Sequence, residues 1–152
     1  MKFRLMLLPP IVAAAVTTLM VSTVQYYAPD IEGKIFPVST SDPHSITADL
    51  KSVQEITVSG IASKFRDCEF TGTEIFVTGD GANRELAKLT VGRSIKLRPV
   101  SVGFRWGPWQ ITVPVYRSNL QIKAITTHRC HPLWPTRTVF WDITLDNLGA
   151  LE

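Results

Sequence analysis

The sequence predicts an all-β protein behind a single N-terminal transmembrane helix: a small antiparallel β-sandwich, or a barrel, carried as an exported domain. Three observations carry this expectation. Leu5 to Val24 is an uncharged run of apolar and small residues. From Glu55 to Leu145, apolar residues recur at every second position in short runs, the period of a half-buried strand. Turn-forming clusters separate those runs, of which Gly79-Asp80-Gly81-Ala82-Asn83 is the strongest.

Lys2 and Arg4 are followed by no further charge until Asp30. A helix over residues 5–24 rises about 30 Å, the thickness of a hydrocarbon core. Tyr26 and Tyr27 follow where aromatic rings favour the headgroup level. Pro9 and Pro10 sit where a helix start tolerates them. A cleaved signal peptide is the competing expectation. Its best cleavage pattern, Ala13-Ala14-Ala15, would leave an apolar new end at Val16–Tyr27, so a retained anchor is favoured. Lys2 and Arg4 then keep the N-terminus cytoplasmic and put the rest in the periplasm or outside the cell. Residues 1–27 are expected as the anchor, held in the bilayer through 5–24. Residues 28–50, broken by Pro29, Pro37 and Pro43, are expected as a stalk, and 51–152 as the β domain.

Within that domain, Ile56, Val58, Gly60 and Ala62 mark one strand face, and Thr73–Thr78 is a second strand. Ile95 and Leu97 mark a third; Trp109, Ile111, Val113 and Val115 a fourth. Leu120, Ile122 and Ala124 define a fifth, and Val139, Trp141, Ile143 and Leu145 a sixth. Trp109 and Trp141 are expected in the core. Pro114, on the opposite phase, suggests an edge or a bulge. Asn83–Leu89 is the one stretch expected to make a helical turn or two.

With 152 residues there is room for one ordinary domain, which excludes a large α/β barrel or a two-domain dinucleotide enzyme. The net charge of +3 falls to +1 beyond the anchor, 14 basic against 13 acidic residues. No nucleic-acid partner is expected from so small a charge without a motif. The charge is, however, polarised. From Leu86 to Trp141 there is no acid, but there are nine basic residues: Lys88, Arg93, Lys96, Arg98, Arg105, Arg117, Lys123, Arg129 and Arg137. Two arrangements answer to this: a basic surface for an anionic partner, or cross-strand pairing with acids from the preceding segment.

Cys68 and Cys130 are the only cysteines and are expected to pair in an oxidising compartment. His128, Cys130 and His131 offer donor types that suit copper or zinc, but a disulfide at Cys130 removes the thiolate. Metal binding is therefore a third-ranked alternative, and no cofactor is expected. No serine-nucleophile elbow is present, and a Cys130–His131 dyad would need a free thiol. The candidate contact residues are Arg105, Trp106, Arg129, His131 and Trp134, aromatic and basic groups beside turn-forming prolines. The expected function is non-enzymatic: binding another envelope protein or an anionic surface. The alternative is an accessory subunit of a larger membrane complex.

Overall fold

The structure, a computed structural model, describes residues 8–52, 54–79, 85–91, 100–113 and 119–146. Helix α1 spans Leu8–Ile35. Its first turn carries Pro9 and Pro10, where a missing N–H costs no intrahelical bond. Thr17, Thr18 and Thr23 turn their hydroxyls back onto the carbonyls of Ala13, Ala14 and Leu19, at 2.9, 2.9 and 2.8 Å. The helix thereby shows few free polar groups over Pro10–Tyr27, where every side chain is exposed. It is long and apolar enough to cross a membrane.

The helix does not stop at Tyr27, as the anchor boundary anticipated. It runs through Pro29 to Ile35, because Pro29 and Gly33 are buried as α1 packs on the last strand. That packing offsets the roughly 3 kcal/mol that an internal proline costs a helix. The stretch expected as a stalk is thus structured. After α1 come β1 (Ser39–Ser41), a 3-10 turn (Pro43–Ser45) and β2 (Thr47–Ser52). Asp42 caps the turn by accepting from the His44 amide at 3.0 Å.

Six longer strands follow: β3 (Glu55–Lys64), β4 (Glu69–Thr78), β5 (Glu85–Val91), β6 (Ser101–Thr112), β7 (Asn119–Arg129) and β8 (Thr136–Asp146). All pair antiparallel, in the order β1-β3-β6-β5-β4-β7-β8, with β2 beside β1 along β3. The sheet curls into a nearly closed barrel. At the seam, the Val38 amide donates to Thr138 Oγ1 at 3.3 Å. The sandwich-or-barrel alternative thus resolves as a barrel.

Two local expectations are corrected. Residues 85–89 belong to strand β5, not to a helical turn. Ala87 and Leu89 face inward while Leu86 and Lys88 face out, and pairing to both β4 and β6 overrides the helix-forming residues. On β8, the inward set is not a single phase. Register shifts where Ala124 pairs with Trp141 but Ile125 pairs with Val139, leaving Phe140 as a bulge. Thr136, Thr138 and Phe140 point in before it and Trp141 after it, so Val139 lies outside. The expected turn at 80–83, the Ile95–Leu97 strand, Pro114 and Val115 lie outside the described residues.

The interior is graded along the barrel axis. Ile56, Val58, Ile75, Val77, Ile111, Val113, Leu120 and Ile122 fill the end away from α1. Trp106, Trp109, Phe140 and Trp141 form an aromatic layer, with Trp106 4.9 Å from Trp109 and 5.3 Å from Phe140 between ring centroids. Toward α1 the buried residues become polar: Ser39, Ser41, Lys64, Thr126, His128, Thr136 and Thr138. Trp106 bridges the two zones, its indole N–H donating to Ser41 Oγ at 2.8 Å.

The chain reaches this layer through Gly107, whose φ of +86° favours glycine and where an added Cβ would press on Val58 O and Ser59. Gly107→Ala should therefore destabilise the fold by at least about 1–2 kcal/mol, the left-handed penalty alone. Chemical denaturation of the detergent-solubilised protein measures the loss.

Candidate functional site

The expected Cys68–Cys130 disulfide is present, with 4.7 Å between Cα atoms. It staples the loop after β3 (residues 65–68) to the loop after β7 (130–135), beside the register pair Glu69–Arg129. Pro132 and Pro135 restrict the second loop. Each loop carries a donor near its cysteine, Arg66 on one and His131 with Trp134 on the other. All three converge on Glu32, in the last turns of α1.

Arg66 Nη1 donates to Glu32 Oε1 at 2.8 Å and to the Phe36 carbonyl at 3.2 Å. His131 Nε2 lies 2.8 Å from Glu32 Oε2, and Trp134 Nε1 donates to the same oxygen at 2.9 Å. The His131 and Trp134 rings meet edge to face, 4.6 Å apart. The Leu133 amide donates to His131 Nδ1 at 3.3 Å. One neutral tautomer satisfies both ring contacts, with the proton on Nε2 and the lone pair on Nδ1.

Only 16% of the Glu32 side chain is exposed. Burial alone would raise its pKa. Hydrogen bonds from His131, Arg66 and Trp134 outweigh it and hold the carboxyl at about 2 instead of 4.5. The buried Thr136 hydroxyl adds to this field without reaching hydrogen-bond geometry.

A second set of contacts completes the junction. Arg137 reaches Asp30 at 3.6 Å and Glu74 at 3.2 Å. Gly33 lies so close to the Arg137 carbonyl that an added Cβ would overlap it.

Of the contact residues expected from the sequence, His131 and Trp134 thus come together. Trp106 does not join them: it is buried in the aromatic layer, where its large ring finds more apolar surface than a loop tip offers. Arg105 is exposed on β6, opposite Ile61 of β3, and Arg129 is exposed 3.9 Å from Glu69. Part of the acid-free stretch finds counter-charges: Arg129 faces Glu69, and Arg137 faces Glu74 and Asp30. Lys123 lies 3.4 Å from Asp142, in addition to the Arg129 and Arg137 pairs. Arg93, Lys96, Arg98 and Arg117 lie outside the described residues.

The structure does not bring the three residues of the metal alternative together around one point. Cys130 is oxidised, His131 points to Glu32, and His128 points into the barrel, 4% exposed and edge-on to Phe70. Among the described residues no three potential ligands gather. Burial, helped by the charge of Lys64, pushes His128 down to about 4. Sequence reasoning missed Glu32 and Arg66. Arg66 was findable through the disulfide, which places the neighbours of Cys68 beside those of Cys130. Glu32 gave no signal, since an acid after an apolar run reads as solvated.

The chain matches no protein-family model, no curated protein and no solved structure.

Stability should fall as pH falls, in two overlapping windows. His128 stays neutral in the fold while the unfolded chain protonates. Its contribution is full above 6.5 and about 3 kcal/mol is lost on the way to 4. Glu32, with a depressed pKa, contributes fully above 4.5 and loses its share as pH falls through about 2. Unfolding free energies of wild type and His128→Gln across this range should differ in slope between 6.5 and 4. Separately, Glu32→Gln keeps the shape but weakens three charge-assisted bonds and should cost about 1.5–3 kcal/mol. Hydrogen exchange should then accelerate in residues 65–68 and 130–135 first.

Proposed function

We propose that the protein is a single-pass, non-enzymatic component of the cell envelope. Its N-terminus lies in the cytoplasm, α1 crosses the bilayer, and its barrel, in the periplasm or outside the cell, binds another envelope protein. The observation that carries this is the Glu32 clamp. An apolar helix that continues unbroken into a barrel, pinned there by three donors, holds that barrel in one pose. A fixed pose suits assembly with partners that are themselves set in the membrane, and so favours the accessory-subunit form of the proposal. A flexible stalk would instead suit a module that reaches for distant ligands.

Lys2 and Arg4 support the orientation. The disulfide fits an oxidising compartment. A non-enzymatic role is supported by the fate of the candidate nucleophile, since Cys130 is held in that disulfide. Recognition of an anionic surface has weaker support, because Lys123, Arg129 and Arg137 already face acids.

Crosslinking in native membranes followed by detergent purification tests the proposal. A fixed protein partner should co-purify, and charge reversal at Arg105 and Arg129 should leave that complex intact. A protein that purifies alone and binds anionic liposomes, with binding lost in salt, would replace this function with surface recognition. A reporter fused after Glu152 should be active only outside the cytoplasm.

A further inference from the structure

The polar zone of the barrel interior is only partly satisfied from within the protein. Ser41 Oγ accepts from Trp106 and donates to the Ile61 carbonyl. Thr138 Oγ1 accepts from the Val38 amide, and Thr126 Oγ1 donates to the Thr138 carbonyl. Among the described residues, four buried side-chain atoms find no partner in the protein: Thr73 Oγ1, His128 Nδ1, Thr136 Oγ1 and Trp141 Nε1.

Two of the four belong to direct neighbours. His128 of β7 pairs with Thr136 of β8 in the strand register. Residues paired in this way share a face of the sheet, with Cβ atoms about 4.5–5.5 Å apart. Here that face is the barrel interior, since His128 is 4% exposed and Thr136 0%. Phe70 meets the imidazole edge to face, which restricts the ring. Buried polar groups are nearly always hydrogen-bonded to protein or to ordered water. Two that face each other across one pair without bonding directly are spaced for a shared partner one atom long.

The surrounding charges select that partner. Glu32 lies on the Thr136 side, close enough for the hydroxyl to help hold its carboxyl in the ionised form. The buried Lys64 lies on the His128 side, where its charge disfavours protonation of the ring. An anion at the pair would therefore meet Glu32, and a cation would meet Lys64. A neutral molecule that both donates and accepts meets neither objection. It also suits the groups themselves. A carboxylate only accepts, so the Thr136 proton belongs on the Glu32 side and a Thr136 lone pair is left for a donor. His128 Nδ1 donates or accepts according to its tautomer.

We infer that His128 Nδ1 and Thr136 Oγ1 together bind one structural water inside the barrel, and that this water links the Glu32 clamp, through Thr136, to His128. The end of α1 and the polar interior then belong to one network. Thr136 is its positioning residue, with one hydroxyl serving both neighbours. The site lies within the described strands and does not depend on the proposed function.

The full-length protein, crystallised from a lipidic mesophase at a resolution that shows ordered water, provides the test. The wild-type map should show one oxygen-sized peak about 2.7–3.2 Å from both atoms. A direct bond between Thr136 and His128, or a side chain filling the space, would overturn the site. So would an anomalous peak there after a bromide soak, which would assign it to an anion. Thr136→Ser should keep the water and Thr136→Val should lose it; a water retained beside valine would remove Thr136 from the site.

The link to the clamp is read from the His128 ring-nitrogen resonances of the 15N-histidine-labelled protein in nanodiscs. Glu32→Gln and Thr136→Val should each shift them. Glu32→Gln added to Thr136→Val should shift them little further, because the path is already cut. Shifts that add in full, or resonances unmoved by Glu32→Gln, would overturn the link.

Discussion

The carboxylate of Glu32 joins three segments that the chain delivers separately: the end of α1, the loop after β3 and the loop after β7. An anion this well covered is tolerated only when its lone pairs are filled. Arg66, His131 and Trp134 fill them from two directions. The disulfide makes that convergence inexpensive in entropy, since Cys68 and Cys130 already hold the two loops together. Arg137 then ties the same helix end to β4 and β8 through Asp30 and Glu74. Helix, seam and loops form one assembly, and the barrel closes around it.

The graded interior follows from the same constraint. Near the clamp the buried wall is polar: Thr138 Oγ1 accepts from the Val38 amide just after α1, and Ser41 Oγ accepts from Trp106 and donates to the Ile61 carbonyl. Further along, nothing polar is required and aliphatic side chains fill the space. The aromatic layer between the two zones depends on the bulge at Phe140. By resetting the phase of β8 within one residue, the bulge lets Phe140 and Trp141 both face inward, where a regular strand would offer only one of them.

Much of this was legible in residue spacing. Alternation around Ile56–Ala62, Trp109–Val113 and Leu120–Ala124 marked inward faces correctly, because burial on one side of a sheet imposes period two. The apolar run marked the helix, and the two cysteines marked the disulfide. The rest failed for identifiable reasons. Prolines 29, 37 and 43 suggested a stalk, but tertiary packing keeps the helix intact across Pro29, while Pro37 precedes β1 and Pro43 opens the 3-10 turn before β2. Trp106 looked exposed because Gly107 and Pro108 mark a bend, yet that bend lies within β6 and turns the indole inward. Glu32 could not be found, since its partners lie 34, 99 and 102 residues away.

The seam between β1 and β8 has a practical consequence. Among the described residues, β8 ends the pairing order and has no full backbone ladder on its outer side; the helix segment around Gly33 lies against it at Arg137. Bare strands of this kind recruit other chains and seed aggregates. The final two turns of α1 therefore act as a shield as well as a tether. A soluble fragment begun at the apparent domain boundary near residue 51 would lose the shield along with β1 and most of β2, whereas one begun near Ala28 would retain it. For this protein, the long apolar helix and the β-domain share a segment, and a clean cut between them does not exist.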